Sequence, residues 1–470
     1  SAADGTIAIG YQAGYTLTSG IRNTVIGHEA GYNTTGNYNV MLGYNAGRSI
    51  TSGASNIAIG YEAGKGIAGQ SNSIAIGLQA MESIGGGGSN VAIGNEAMKS
   101  SGTATGNDAS QNVAIGYRAG KDISDGDNNV LLGYNTAQNI TTGYRDVAVG
   151  AQALENETTG YHIVAIGYDS MRQAGGANQT VAIGQASLEY YSIGNNTSQH
   201  TTAIGDTAGK YTTGSYNTFV GSAAGQGSSG APYSSGQYNT AVGYKALNEF
   251  TTLGGAVAVG WEAVRRATTA TAPFGVGNRA LHYLTTGGYN TAVGNQAMEN
   301  TVDGARNTAV GYQAGSHFKE LYSTGVGFNA GKNATGSHNT FVGNEAGLGG
   351  DSGDSRGEYN TVVGSEAFKA FTSGYNNVAV GYQSLTSTTT GFNNVAVGKG
   401  ALDSLTTADY TTAVGAAAGS NIVGGRFNTF YGFNAGGNSN SSTHIVAVGY
   451  NAYGSGATNK AYGVYIGSNA

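Results

Sequence analysis

A five-residue phrase, N-T-A-V-G or a near variant such as N-V-A-V-G, N-I-A-I-G or N-T-F-V-G, returns about every 17 residues along this chain. A fixed period of that length predicts a solenoid, in which each repeat packs only on its neighbours. The closing glycines run in register from Gly10, Gly27 and Gly43 to Gly432, Gly449 and Gly467, 27 in all. Length alone would suggest about three domains, but no stretch of the 470 residues lies outside the register, so residues 1–470 read as one continuous repeat domain.

Composition enters as a set of exclusions. The 82 glycines come with only two prolines, Pro232 and Pro273, and at the wrong spacing for collagen. Charged residues are 10% of the chain and the net charge is −6, too little basic charge to follow a phosphate backbone, so nucleic acid is not an expected partner. Cysteine is absent, which removes disulfides and thiolate metal sites and leaves stacking as the source of stability. No apolar run reaches the roughly 18 residues of a membrane span, and no basic start precedes an apolar secretory segment.

One coil is read by counting from the closing glycine as zero. Position −1 is nearly always Ile, Val or Leu, as in Ile59, Ile93, Leu132, Val293 and Val380, and −3 is usually Val, Ile or Thr, as in Ile57, Val91, Thr291 and Val378. Alternate positions share one face of a strand, and β-branched residues suit it. The intervening −2 position is also apolar: mostly Ala (Ala58, Ala292, Ala396), with Met41, Leu131, Phe219, Phe341 and Phe430 as larger members. Small residues recur at +3, and T-T-G or T-S-G turns, such as Thr141-Thr142-Gly143 and Thr285-Thr286-Gly287, close the coil.

This pattern predicts an all-β chain: a parallel β-roll or β-helix solenoid with two short strands and two turns per coil. The expected core comes from −1, −3 and +3. The −2 face would then form an exposed apolar stripe, of the kind that marks an interface. On that reading Met41, Ala58, Leu131, Phe219, Ala292, Phe341, Ala396 and Phe430 line the seam of a homotrimer, a rotationally closed fibre. Asp at Ala292 or Ala396 would be costly because it enters the seam.

The phrases N-I-A-I-G-Y-E-A (Asn56 to Ala63), N-V-A-I-G-N-E-A (Asn90 to Ala97) and N-T-A-V-G-Y-Q-A (Asn307 to Ala314) resemble the repeats of YadA-like trimeric adhesin heads and of phage tail-fibre shafts. The resemblance covers essentially the whole chain, although the adhesin heads use a shorter coil. It implies three parallel β-rolls about a threefold axis and an extracellular fibre, on a virion or a cell, that binds a host or surface receptor, including glycans. An autotransporter of that family would add a coiled-coil stalk and a membrane β-barrel. Related phage fibres lose a C-terminal chaperone domain on maturation, which suits an end within the repeat at Gly467 to Ala470.

Several side chains stand out against this framework. Asn recurs at −4, as in Asn23, Asn56, Asn129, Asn290 and Asn377, where stacked amides form ladders along the axis. Aromatics recur at +1, including Tyr11, Tyr44, Tyr61, Tyr117, Trp261, Tyr312 and Tyr450. Four coils are longer by about five residues, over Lys99 to Asn112, Tyr190 to Thr202, Gln226 to Asn239 and Leu348 to Asn360; such insertions map to loops on one face of a solenoid. Tyr190, Tyr191, Tyr233, Trp261 and Arg356 are the receptor-binding candidates. Asp125, Asp127 and Asp354, in two acidic turns, are the candidate metal ligands, with Ca²⁺ the cation that alternating oxygens would suit; no other cofactor is expected. The seven histidines show no ligand spacing.

Neither a dinucleotide fingerprint, a phosphate-binding loop nor a nucleophile elbow occurs. No carboxylate pair is selected among Asp354, Glu358 and Glu366, so the chain is not expected to be an enzyme. The leading functional expectation is a structural and adhesive fibre shaft, most readily a phage tail or virion fibre that contributes to host attachment. The alternatives are a bacterial trimeric surface adhesin head and a monomeric ice-binding β-solenoid presenting threonines such as Thr34, Thr35, Thr141, Thr142, Thr285 and Thr286.

Overall fold

The structure is a computed structural model that describes residues 4–100, 107–191, 199–230, 232–350, 353–437, 440–453 and 461–470. The chain separates into two compact units, Ser1–Asn239 and Thr240–Ala470. Among the described residues there is no helix, and each unit is a β-solenoid. The first unit carries strands from Ile7–Ile9 to Thr218–Val220, the second from Thr240–Val242 to Ala461–Ile466. Each strand pairs in parallel with its counterpart one coil on, so like stacks on like: Val147, Val164 and Val181 in the first unit, and Thr291, Thr308 and Thr324 in the second.

One strand of three residues forms in a typical coil, where the sequence predicts two. The second inward segment is a run of tight turns, because its backbone alternates into the left-handed region. In the coil closed by Gly294, Tyr289, Gln296 and Met298 have φ of 58°, 58° and 52°. That conformation disfavours residues with a Cβ. Here it turns each of those N–H groups along the stacking axis, where Gln296 donates to the Asn278 carbonyl at 2.8 Å and Met298 to the Ala314 carbonyl at 3.0 Å. Interlocking coils therefore satisfy the backbone without a second ladder.

The closing glycine is required on two counts. Gly294 has φ 137°, outside the range of L side chains, and a Cβ there would overlap the Gly311 carbonyl of the next coil. Gly311 meets Gly327 in the same way. The N-T-A-V-G phrase is thus a strand followed by an obligatory corner.

The core lies on the opposite side of the strand from the one the sequence pattern suggested. Met41, Ala58, Leu131, Phe219, Ala292, Phe341, Ala396 and Phe430 are all fully buried inside their own coils, so none of them lines an exposed interchain seam. The flanking −3 and −1 residues point outward and are half-buried to exposed, as with Val310 at 37% and Val363 at 40%. Sequence alternation shows that −2 opposes −1 and −3; it does not show which set faces in. The +3, +4 and +7 residues decide it, since Ala297, Met298 and Thr301 are buried and close the space above Ala292.

Size is balanced within this core. Phe341 is flanked by Gly331 and Gly347, and Met41 by Gly31 and Gly47; a Cβ on any of the four would run into the large side chain. Where −2 shrinks to Gly275, Val264 fills the space, and Phe318 does so beside Gly325. Large residues sit where glycine makes room, giving the close packing expected of protein interiors.

The −4 ladder is also internal. In the second unit the Asn307 amide donates to the Glu320 carbonyl at 2.8 Å and accepts the Ser323 N–H at 2.7 Å, while its own backbone N–H donates to the Asn290 side chain at 3.0 Å. In the first unit Asn56 does likewise, with the Gln70 carbonyl and the Ser73 N–H. These amides are buried and fully engaged, which is a structural role.

Candidate binding surfaces

With −2 inside, each unit presents three kinds of surface. The first is the outer face of the sheet, where −3 and −1 form two regular columns of Val, Ile and Thr, as in Val378, Val380, Val395 and Val397. The second is a charged band from +2 and +5. In the first unit it runs Glu62, Lys65, Glu82, Lys99, Glu96, Arg118 with contacts of 2.7 to 3.6 Å. These partly exposed pairs add little stability individually, though as a network they fix the side chains.

The third surface is aromatic and occurs in columns at +1 and at −5. Along +1, Tyr11, His28, Tyr44 and Tyr61 stack at 5.0 to 5.1 Å. Tyr117 stacks on Tyr134 at 5.2 Å, and Tyr312 on Phe328 at 5.2 Å. Trp261 belongs to this edge and is 45% exposed. The −5 column did not stand out in the sequence, because glycine-aligned phrases draw attention downstream of the corner. It includes Tyr216 with His200 and Tyr238 in the first unit, and Tyr322, His338 and Tyr359 in the second. Both columns leave ring edges and polar tips on the surface, the amphipathic character suited to recognition.

The receptor candidates divide. Tyr191 is buried, and its hydroxyl meets the Thr201 hydroxyl at 3.0 Å; burial pushes its pKa up, and it is a core residue rather than a contact residue. Tyr190 and Tyr233 are brought together with Tyr211 in a half-buried three-ring cluster, Tyr190 lying 5.3 Å from each of the others. Lys210 sits 5.3 Å above the Tyr211 ring and pairs with Glu189 at 3.0 Å. Parts of the long loops (101–106, 192–198, 231 and 351–352) lie outside the described residues, and with them Asp351 of the second acidic turn.

Arg356 is exposed and held by Asp354, whose carboxylate accepts from Nη2 at 2.6 Å and from Nε at 3.0 Å. The Thr335 hydroxyl donates to the same carboxylate at 3.0 Å. The Arg356 hydrogen bonds hold Asp354 below the usual carboxylate range. Arg356 borders a cleft of about 500 Å³ shared with Glu358, Tyr359, Ser373, Tyr375 and Asn376. A second cleft of about 310 Å³ has Arg356 and Glu358 in common with it, and adds Lys319, Glu320, Thr335 and Asp354. Of these residues only Arg356 had been singled out as a receptor contact.

The proposed metal ligands are otherwise engaged. Asp127 accepts from the Ser110 N–H and hydroxyl, both at 2.7 Å, and Asp125 from the Asp108 N–H at 3.3 Å. Among the described residues no three His, Asp or Glu side chains gather as a metal site. Asp125, Asp127 and Asp354 each accept hydrogen bonds from a neighbouring coil. The threonine array is likewise broken: Thr34 is buried, and the Thr141 and Thr285 hydroxyls donate to the Thr158 and Val302 carbonyls.

One buried acid departs from the ladder. Asp146 stands at −4, where Asn129 stands one coil earlier, and its Oδ1 accepts the Ile163 N–H at 2.8 Å while Oδ2 has no partner. Burial, with a smaller contribution from the nearby Glu157 charge, pushes the Asp146 carboxyl up to about 8. Glu157 is itself buried but accepts the N–H groups of Thr158, Thr159, Gly160, Gly176 and Ala177.

No protein-family model matches the chain, and no curated protein is significantly similar to it. No helix among the described residues is long and apolar enough to cross a membrane.

Proposed function

We propose that the chain is a non-enzymatic fibre shaft in which three copies associate side by side along the outer Val, Ile and Thr columns, which a threefold axis brings together. The observation that carries this reading is the continuous apolar outer face of the sheet, regular from coil to coil. A face of that kind marks an interaction surface, and rotational symmetry covers it without leaving an open edge. The seam is therefore assigned to −1 and −3 residues such as Val293, Val310 and Val397, in place of the −2 set.

The charged band and the aromatic columns remain outward in such an assembly and supply the attachment surface. A virion fibre is the preferred setting, and a bacterial surface adhesin head uses the same geometry; in either the shaft is extracellular. Light scattering on the intact chain tests the association, with three times 47.2 kDa expected. A monomeric chain would leave the outer columns as a flat, repetitive array of Thr and Val. That is the feature favouring the ice-binding reading, and thermal hysteresis would be its signature.

A further inference from the structure

We propose that the paired clefts around Arg356 and Glu358 bind a neutral oligosaccharide. The −5 aromatic column of the second unit is broken beside these clefts. Tyr322, His338 and Tyr359 occupy that position in successive coils, and then the short Asn376 and Asn393 replace them. At the break the ring moves one residue upstream, to Tyr375 and Phe392, which stack at 4.8 Å with an interplanar angle of 3°. The hollow left by Asn376 lies between two ring systems. Tyr359 is backed by His338 at 4.8 Å, Tyr375 is backed by Phe392, and both remain exposed. Rings fixed from behind and open in front offer flat apolar faces, which match the C–H faces of a pyranose.

The polar groups point to the same class of ligand. Arg356, Glu358 and Asn376 are planar groups that can each bridge adjacent hydroxyls. The Asp354 carboxylate occupies two of the five N–H donors of Arg356, which orients the guanidinium and leaves the other three free for a ligand. Among the described residues nothing hydrogen-bonds or ion-pairs with the Glu358 carboxylate. Lys319 and Arg356 face Glu320, Asp354 and Glu358, so the two clefts together hold no excess positive charge for an anion. That argues for an uncharged ligand. The larger cleft falls in the roughly 300–1,000 Å³ range of small-molecule sites, and because both clefts share Arg356 and Glu358 a chain of sugars can lie across the ridge between them. The site lies on the turns, away from the outer columns, and it deepens the attachment reading by naming a ligand class.

The test is saturation-transfer NMR on the full chain with maltose, lactose and mannobiose, and with sialyllactose as the acidic comparator. The expected result is transfer to the pyranose C–H protons of at least one neutral disaccharide, weakened about tenfold or more by Tyr375→Ala and by Glu358→Gln. Ser52→Ala, which alters an exposed turn residue in the first unit outside the aromatic columns and the charged band, should leave binding unchanged. Both cleft positions are on the surface, and an unaltered thermal transition verifies that the variants fold. No transfer to any neutral disaccharide would overturn the proposal, as would a preference for sialyllactose over lactose or undiminished binding in both variants. A trimeric mass without saccharide binding removes the cleft and leaves the fibre. A monomeric mass with Tyr375-dependent binding does the reverse.

Discussion

In the coil closed by Gly343, Phe341 points inward between Gly331 and Gly347, while Thr340 and Val342, its neighbours on either side, point outward. The inward position varies from Gly275 through Ala292 to Phe341, and each change is met by a neighbour that grows or shrinks. The outward positions vary little beyond Val, Ile and Thr, and they stay half-buried to exposed. An inner face fitted coil by coil is completed by its own chain. A uniform outer face suits a partner that also repeats, which is the physical basis for the proposed seam.

The largest effects should come from disturbing the inner fit. Phe341→Ala is expected to cost about 3–5 kcal/mol in chemical denaturation, through lost burial and the cavity left behind. Adding Gly347→Met to it copies the Ala292 and Met298 arrangement, in which Met298 takes the same left-handed conformation at φ 52°. The double variant should recover a substantial part of that loss, and a strictly additive or worse outcome would refute size balancing. Next comes the corner: Gly311→Ala combines an unsuitable φ of 134° with overlap on the Gly327 carbonyl and should cost on the order of 3 kcal/mol.

A smaller effect is expected at the buried acid in the ladder position. Between its ordinary value of 3.8 and the raised value of about 8, Asp146 keeps in the folded state a proton that the unfolded chain has released. The folded state then binds more protons, so its stability falls as pH rises through that window. Asp146→Asn should abolish this slope and restore the ladder donor, as Asn129 donates to Gly143. The gain should be about 1–3 kcal/mol near pH 8, and should shrink towards the acid end of the window. Parallel melting-temperature profiles of the two proteins across that range would contradict the assignment.

The smallest effect on the single chain is expected outside. Val310→Asp should change the stability of a dissociated chain by no more than about 0.5 kcal/mol, whereas Ala309→Asp, one residue away but inside, should unfold its coil. In the assembled protein Val310→Asp should instead reduce the fraction of associated chains, read by sedimentation. Equal damage from the two substitutions in the dissociated chain would erase the distinction between the faces. The Ala292→Asp and Ala396→Asp substitutions cannot report on a seam, because both positions lie in the single-chain core.

The period, the strand at each N-T-A-V-G phrase, the corner glycine and the structural Asn ladder were all legible in the residues, because each depends on local geometry that recurs along the chain. The direction of the strand was not. Both faces are apolar, and the choice depends on how +3, +4 and +7 fold back, which rests on left-handed residues such as Met298 and Val264 that no propensity marks. The fate of Tyr191 was hidden for a related reason: it occupies the inward +7 position of a lengthened coil, where Ile50 and Ile67 sit in others. The Arg356 clefts were half visible. The long loop drew attention to Arg356, but the wall made by Tyr359 and Tyr375 depends on a one-residue shift between stacked coils, which shows only when the coils are aligned in space.

The most direct test of the central claim is the native mass of the intact chain by light scattering, measured beside the Val293→Asp, Val310→Asp double variant. The account predicts a trimer of 47.2 kDa chains for the wild type and a folded, lighter species for the variant. A wild-type protein that stays monomeric, or a variant that keeps the full trimeric mass, would contradict the assignment of the outer columns as the seam.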